Sequence, residues 1–277
     1  MQRYGRVMNV TDPRATDPPF LGPAETGPVG PAAVAPLRSI GLCAAWSHHA
    51  AEIAVGIGAH LERLEETPTT VGMLADGVVV RILPGVFLPP DLLGSAVERA
   101  LAIGCALGEH LQSHHVVSGT SAAWVLLGGH PSLPLELLSP AHRGRVAGVV
   151  LRHARLAPGE IDTLGGAPVT TPRRTATDLL RFAPEPLAGA LLRALIEAAL
   201  VEEGEIAASL EGMYRHPGVH AARERLERIL EDEEQWPPQR RWPQVTAWDV
   251  AGRPRLIRDQ DVPSGRPQRL VAGLSSR

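Results

Sequence analysis

Lysine is absent from the 277 residues, so all 27 basic side chains are arginine. That excludes a Schiff-base lysine, a P-loop cation and the lysine of a nuclease centre. Cysteine is scarce, with only Cys43 and Cys105, both in apolar surroundings. Two such thiols read as small core residues of a chain in a reducing cytoplasm and not as a disulfide framework. Basic excess is missing too: the net charge is −3 and the isoelectric point is about 6.4, so the whole molecule carries no electrostatic signature of nucleic-acid binding. No apolar run approaches the roughly 18 residues of a membrane span, and no basic start leads into an apolar stretch. Membrane insertion and secretion are therefore not expected, and a cytoplasmic location is.

What is present is apolar content of 44%, enough to bury a large core as one extended domain or two small ones. Residues 1–37 hold seven prolines and four glycines. Such a composition buries too little apolar surface to offset chain entropy, so 1–39 reads as a disordered leader. Arginine is unevenly spread: 7 stand against 12 acids in residues 1–137, and 20 against 18 acids in 138–277.

Residues 40–64 carry a helical apolar pattern. After Pro68 and a short helix, Asp76-Gly77 turns into a strand expected over Val78–Leu83, and Pro84-Gly85 turns again before Val86-Phe87. Ser95 and Glu98 form a capping box that opens a helix to about Leu111. Trp124 lies among apolar neighbours, strands are expected at Leu135–Leu138 and Val146–Arg152, and Thr171-Pro172 announces a helix with Ala176, Leu179 and Leu180 on one face. A longer helix runs from Glu185 to about Val201, closed by Gly204; shorter ones follow at Glu205–Met213 and His220–Glu234. The tail 234–277 is rich in Trp and Pro, with VTAWDVAGRPRLI readable as a hairpin.

Several of these strings, VVSGTSAAWVLLGG at 116–129, VVLRHARLAPGEIDTL at 149–164 and above all GAPVTTPRRTATDL at 166–179, occur in an order that resembles the AbiEi-type antitoxins of type IV toxin–antitoxin systems, in their actinobacterial form. Residues 74–87, ending RILPGVF, resemble the wing of the winged helix-turn-helix that precedes this region in the family. The resemblance covers roughly residues 74–230. It implies an α/β (α+β) fold with a winged-helix-like module at 40–91 and a small sheet covered by helices at 92–233. It also implies a non-enzymatic, DNA-binding transcriptional regulator that restrains a nucleotidyltransferase toxin. In relatives an endonuclease domain of the very-short-patch-repair type often begins where the tail begins here, and only its first hairpin is matched.

The residues themselves qualify that picture. The stretch Thr69–Ala75, which would read the major groove, has no Arg, Lys, Asn or Gln. The cations available to DNA are Arg81 in the wing and Arg143, Arg145, Arg152 and Arg155, with His142, His153, Arg173 and Arg174 nearby. The same cluster suits an acidic protein partner or a solvated sheet face. His48, His49 and His60, and the pair His110 and His114, lack carboxylates or cysteines at ligand spacing, so neither metal nor cofactor is expected. Glu231–Glu234 lacks the following E-x-K of a nuclease centre. Three functions remain open: an antitoxin-like regulator, the remnant of an endonuclease-associated protein, and a protein-interaction scaffold without DNA binding.

Overall fold

The computed structural model describes residues 42–141, 145–213 and 216–231, together with strands at 245–248 and 254–256. The expected leader, 1–39, lies outside the described residues, as do positions 142–144 and most of the tail. The fold is mixed α/β, with helices packed against a three-stranded and a five-stranded sheet.

Helix α1 (His48–Ala59) starts where the Ser47 hydroxyl accepts the Ala50 N–H at 3.0 Å. The residues before it, expected as helix, form a turn instead, with Cys43 at φ +62°. Strand β1 (Glu62–Arg63) leads to α2 (Pro68–Ala75), which is capped by Thr67 and opened by Pro68. Strands β2 (Val80–Leu83) and β3 (Val86–Leu88) complete an antiparallel sheet in the order β1-β3-β2. β2 begins two residues later than its sequence suggests because the Val78 and Val79 N–H groups bond back to the Met73 carbonyl at the end of α2.

Ser95 and Glu98 cap α3 (Ala96–Leu107) reciprocally, as the sequence indicates. The helix stops short of Leu111 because Gly108 takes φ +55° and a 3₁₀ turn follows. Next come β4 (Val116–Val117), α4 (Gly119–Leu127), β5 (Leu135–Ser139), β6 (Val149–His153), β7 (Ile161–Leu164) and β8 (Ala167–Thr170), with sheet order β6-β5-β4-β8-β7. α5 (Pro172–Phe182) has its Thr171 cap and buries Ala176, Leu179 and Leu180. α6 (Glu185–Glu197), α7 (Glu203–Gly212) and α8 (Val219–Glu231) complete the helical side. Gly204 does not close α6. The helix ends at Glu197, Ala199 adopts φ +53°, and Gly204 falls in the first turn of α7. In the tail, β9 (Val245–Trp248) and β10 (Pro254–Leu256) pair antiparallel.

Two apolar cores result. The first gathers Ile57 of α1, Ile82 and Leu88 of the small sheet, Leu101 of α3, and Leu137 and Val169 of the large sheet. It runs without a break across residue 91, where the sequence suggests a module boundary. The second core holds Ala176, Leu179 and Leu180 with the inner faces of α6, α7 and α8. α4 stands between them, giving Trp124 and Val125 to the first and Ala123 to the second.

Close backbone approaches lock the first core together. Gly166, at φ +86°, lies so near α1 that a Cβ there would sit 2.3 Å from Ser47 Oγ. Gly148 touches the β2–β3 turn, where a Cβ would meet Pro84 Cδ at 2.3 Å. Gly104 lets the turn around Cys43 settle on α3, for a Cβ would come within 2.6 Å of both Cys43 Sγ and Trp46 Cζ3. Trp46 is held in place by its indole N–H, which donates to the His115 carbonyl at 2.9 Å.

Two helical glycines therefore respond to alanine with opposite signs. A Cβ added at Gly56 on α1 would meet nothing within 4 Å, so Gly56→Ala gains the helix propensity of about 0.5–1 kcal/mol. Gly104→Ala gains the same propensity but displaces Trp46 and Cys43, and overpacking of about 1–3 kcal/mol outweighs it. Urea unfolding midpoints of the two variants are expected to move in opposite directions from the parent.

Candidate partner and nucleic-acid interface

The arginines expected to meet phosphate do not form one free surface. Arg81 on β2 is three-quarters covered; its guanidinium lies 3.3 Å from Glu66 and 5.9 Å from the centre of the Phe87 ring. Arg152 on β6 pairs with Glu136, Nη1 at 3.0 Å from Oε2 and Nη2 donating to Oε1 at 3.3 Å, and it stacks 4.9 Å from the Phe182 ring. Arg145 and Arg155 are exposed and make no ion pair among the described residues. They flank opposite ends of β6, a five-residue strand spanning roughly 15 Å. Arg143 and His142 lie outside the described residues. Arg173 is exposed, but Arg174, which the sequence groups with it, is buried at 6% exposure.

The helix before the hairpin presents apolar and hydroxyl groups. On α2, Thr69, Val71 and Ala75 face outward, and Val78 follows in the turn to β2. Val71 is 55% and Val78 54% exposed, the two highest values among the large apolar side chains exposed in the described residues. The hairpin beyond it is not a free wing, because its Pro84 turn rests on Gly148.

A buried charge network lies beneath the sheet and α5, and only the i, i+4 spacing of Arg174 and Asp178 hinted at it in the sequence. Arg174 Nε donates to Asp178 Oδ2 at 3.0 Å, and its Nη1 donates to Glu160 Oε1 at 2.7 Å. Arg181 Nη1 lies 3.7 Å from Asp178 Oδ1, and its guanidinium stacks 4.5 Å from Phe182, the ring that also carries Arg152. Three cations thus meet the three carboxylates of Glu136, Glu160 and Asp178, and no surplus positive charge is left for an outside anion. Burial pushes the Asp178 carboxyl above its ordinary range against the pull of Arg174 and Arg181. Burial also works to raise Glu160, but the Ala157 N–H and the Arg174 guanidinium together outweigh it and hold that carboxyl below its ordinary value of 4.5. Burial likewise opposes the charge on Arg174, but its two carboxylate partners prevail and its pKa is raised.

The histidines do not converge. His48 pairs with Glu52 at 3.3 Å, His60 Nδ1 lies 2.9 Å from the Gly56 carbonyl, and the end of α3 at Leu107 leaves His110 and His114 on different turns. Among the described residues no group of three or more His, Cys, Asp or Glu is placed to hold a metal. The two cysteines, distant in sequence, meet in the core with sulfurs 3.9 Å apart, both as free thiols. Contact with Cys105, followed by burial, pushes the Cys43 thiol well up. No helix among the described residues is long and apolar enough to cross a membrane.

No family model, curated protein or solved structure matches this chain.

Two outcomes test the buried network. Asp178→Ala leaves Arg174 with half of its compensation in a site 2% exposed, and the expected loss of stability is roughly 3–5 kcal/mol, measured by urea unfolding. Glu160, with its depressed pKa, contributes stability that is fully present above its ordinary value of 4.5 and is lost as pH falls through the folded pKa. Asp178, shifted the other way, contributes stability at acid pH that is lost as pH rises through its folded pKa. Glu160→Gln is therefore expected to flatten the acid side of the stability profile, read as unfolding midpoints between about pH 3 and 6.

Proposed function

We propose that this chain is an antitoxin-like regulator of the AbiEi type that acts by binding and not by catalysis, with β1, α2, β2 and β3 as a winged-helix-like platform. Support comes from the order of those elements, the sheet order β1-β3-β2 and the two-residue turn at Pro84-Gly85. One departure matters for what the platform binds. α1 and α2 are separated by eight residues, 60–67, which include β1, and not by the three- or four-residue turn of a helix-turn-helix.

The observation that carries the reading is the exposed face of α2, with Thr69, Val71 and Ala75, continued by Val78. Methyl groups and one hydroxyl cannot make the bidentate contacts that distinguish base pairs. They suit the desolvated centre of a protein interface, where charged residues are depleted. The partner this implies is the nucleotidyltransferase toxin expected from the family resemblance. A second reading, a transcriptional regulator held on operator DNA through its backbone, is favoured by the exposure of Arg145 and Arg155 without ion pairs.

Co-expression with a nucleotidyltransferase toxin of the type IV systems tests the first reading. The parent is expected to relieve growth inhibition, and Val71→Asp with Val78→Asp, surface changes costing within about 0.5 kcal/mol of stability, is expected to abolish relief. Relief undiminished by that pair of changes overturns the reading. For the second, affinity for duplex DNA is measured across salt concentrations. Arg145→Ala with Arg155→Ala is expected to reduce the slope of log affinity against log salt by about 1.8 in magnitude, with no change in sequence preference. An unchanged slope leaves those arginines to a protein partner.

A further inference from the structure

The five-stranded sheet carries an unfilled space that its own connectivity creates. β6 and β7 occupy opposite edges of the sheet, so residues 154–160 must cross from one edge to the other. The crossing covers four inter-strand steps, about 19 Å in all. Four extended residues followed by the 3₁₀ turn Pro158–Glu160 reach roughly 20 Å, so the segment has no slack to fold down onto the sheet. Its far end is fixed as well, since Glu160 is bound to buried Arg174 at 2.7 Å. Beneath it remains a cavity of about 490 Å³. That volume lies within the range of roughly 300–1,000 Å³ typical of small-molecule sites.

The chemistry of the walls narrows the occupant. Val116, Leu138 and Pro168 form an apolar floor, the first two buried and belonging to neither core. Leu156 of the crossing segment and Ile161 add apolar walls. The polar side chains on the walls are Ser113, His114, Ser139 and Arg155; Arg155, the one charged group, is exposed beside the opening, and His114 has a buried Nε2 with no hydrogen-bond partner. An apolar body fills the floor, and an anionic head matches the one guanidinium that no carboxylate of the described residues neutralises here. We propose that this cavity is a binding site for a small apolar carboxylate, an aromatic or branched acid, held by the sheet floor and oriented by Arg155. The site is separate from the α2 face and does not rest on the function proposed above.

Isothermal titration of the full chain with 1-naphthoate and, in parallel, with uncharged naphthalene-1-methanol tests it. Saturable binding of 1-naphthoate is expected. Arg155→Ala is expected to weaken it by about tenfold or more, as loss of a charge-assisted contact does, while leaving naphthalene-1-methanol unaffected. Arg155→Lys restores part of the loss, and Arg145→Ala, at the other end of β6, changes nothing. Ala154→Trp, or Leu156→Trp should the first variant unfold, fills the space and abolishes binding of both probes while the thermal midpoint stays near the parent's. Failure of 1-naphthoate to saturate up to its solubility limit overturns the site. So does unchanged binding in a folded tryptophan variant. Equal binding of both probes, with no response to Arg155→Ala, overturns the anionic class of ligand.

Discussion

Burying helix α4 obliges the protein to satisfy its ends without water, and two charged side chains do so. From Gly119 to Val125 every residue is buried. At the N-terminus the Glu136 carboxylate accepts the Thr120 N–H at 3.3 Å, in the place where a helix presents its positive pole. Near the C-terminus the guanidinium of buried Arg99 donates twice to the Val125 carbonyl, at 3.0 and 2.9 Å. Glu136 belongs to β5 and Arg99 to α3, so satisfying one helix fixes the sheet and the first core around it. The positive charge of Arg152 then stabilises Glu136, and Phe182 on α5 stabilises Arg152, which carries the same chain of dependence into the second core.

Local signals were legible in the sequence where their chemistry is local. Ser95 with Glu98, and Thr171 with Pro172, announce helix starts through hydroxyl, carboxylate and ring geometry that act within four residues. The apolar spacing of Ala176, Leu179 and Leu180 likewise marks a buried face from inside one helix. What escaped depends on partners distant along the chain. Arg174 reads as one of several basic residues, and only the fold brings Glu160 beneath it. Cys43 and Cys105 read as unrelated thiols, yet the turn before α1 and the last turn of α3 press them together. Gly204 misled for a different reason: glycine commonly ends helices, but Ala199 took the left-handed conformation here and Gly204 was left inside the next helix.

The same contrast governs the arginines. A list of cations in sequence order suggests a strip for phosphate, whereas the folded chain consumes Arg81, Arg152 and Arg174 in ion pairs and leaves Arg145 and Arg155 exposed at the two ends of one strand. Among the described residues, positive charge is chiefly structural cement. That is consistent with an all-arginine chain, since guanidinium is the cation best suited to fixed, desolvated pairing with carboxylates.

The glycine contacts at 104, 148 and 166 have a consequence for descent. Each admits a neighbouring segment from the other side of residue 91, so the surfaces on the two sides are cut to each other and not to solvent. A recombination event joining residues 42–91 to a different C-terminal partner would bring side chains where only hydrogen fits. The platform and the sheet must therefore be inherited as one unit, and change in either is constrained to keep pace with the other.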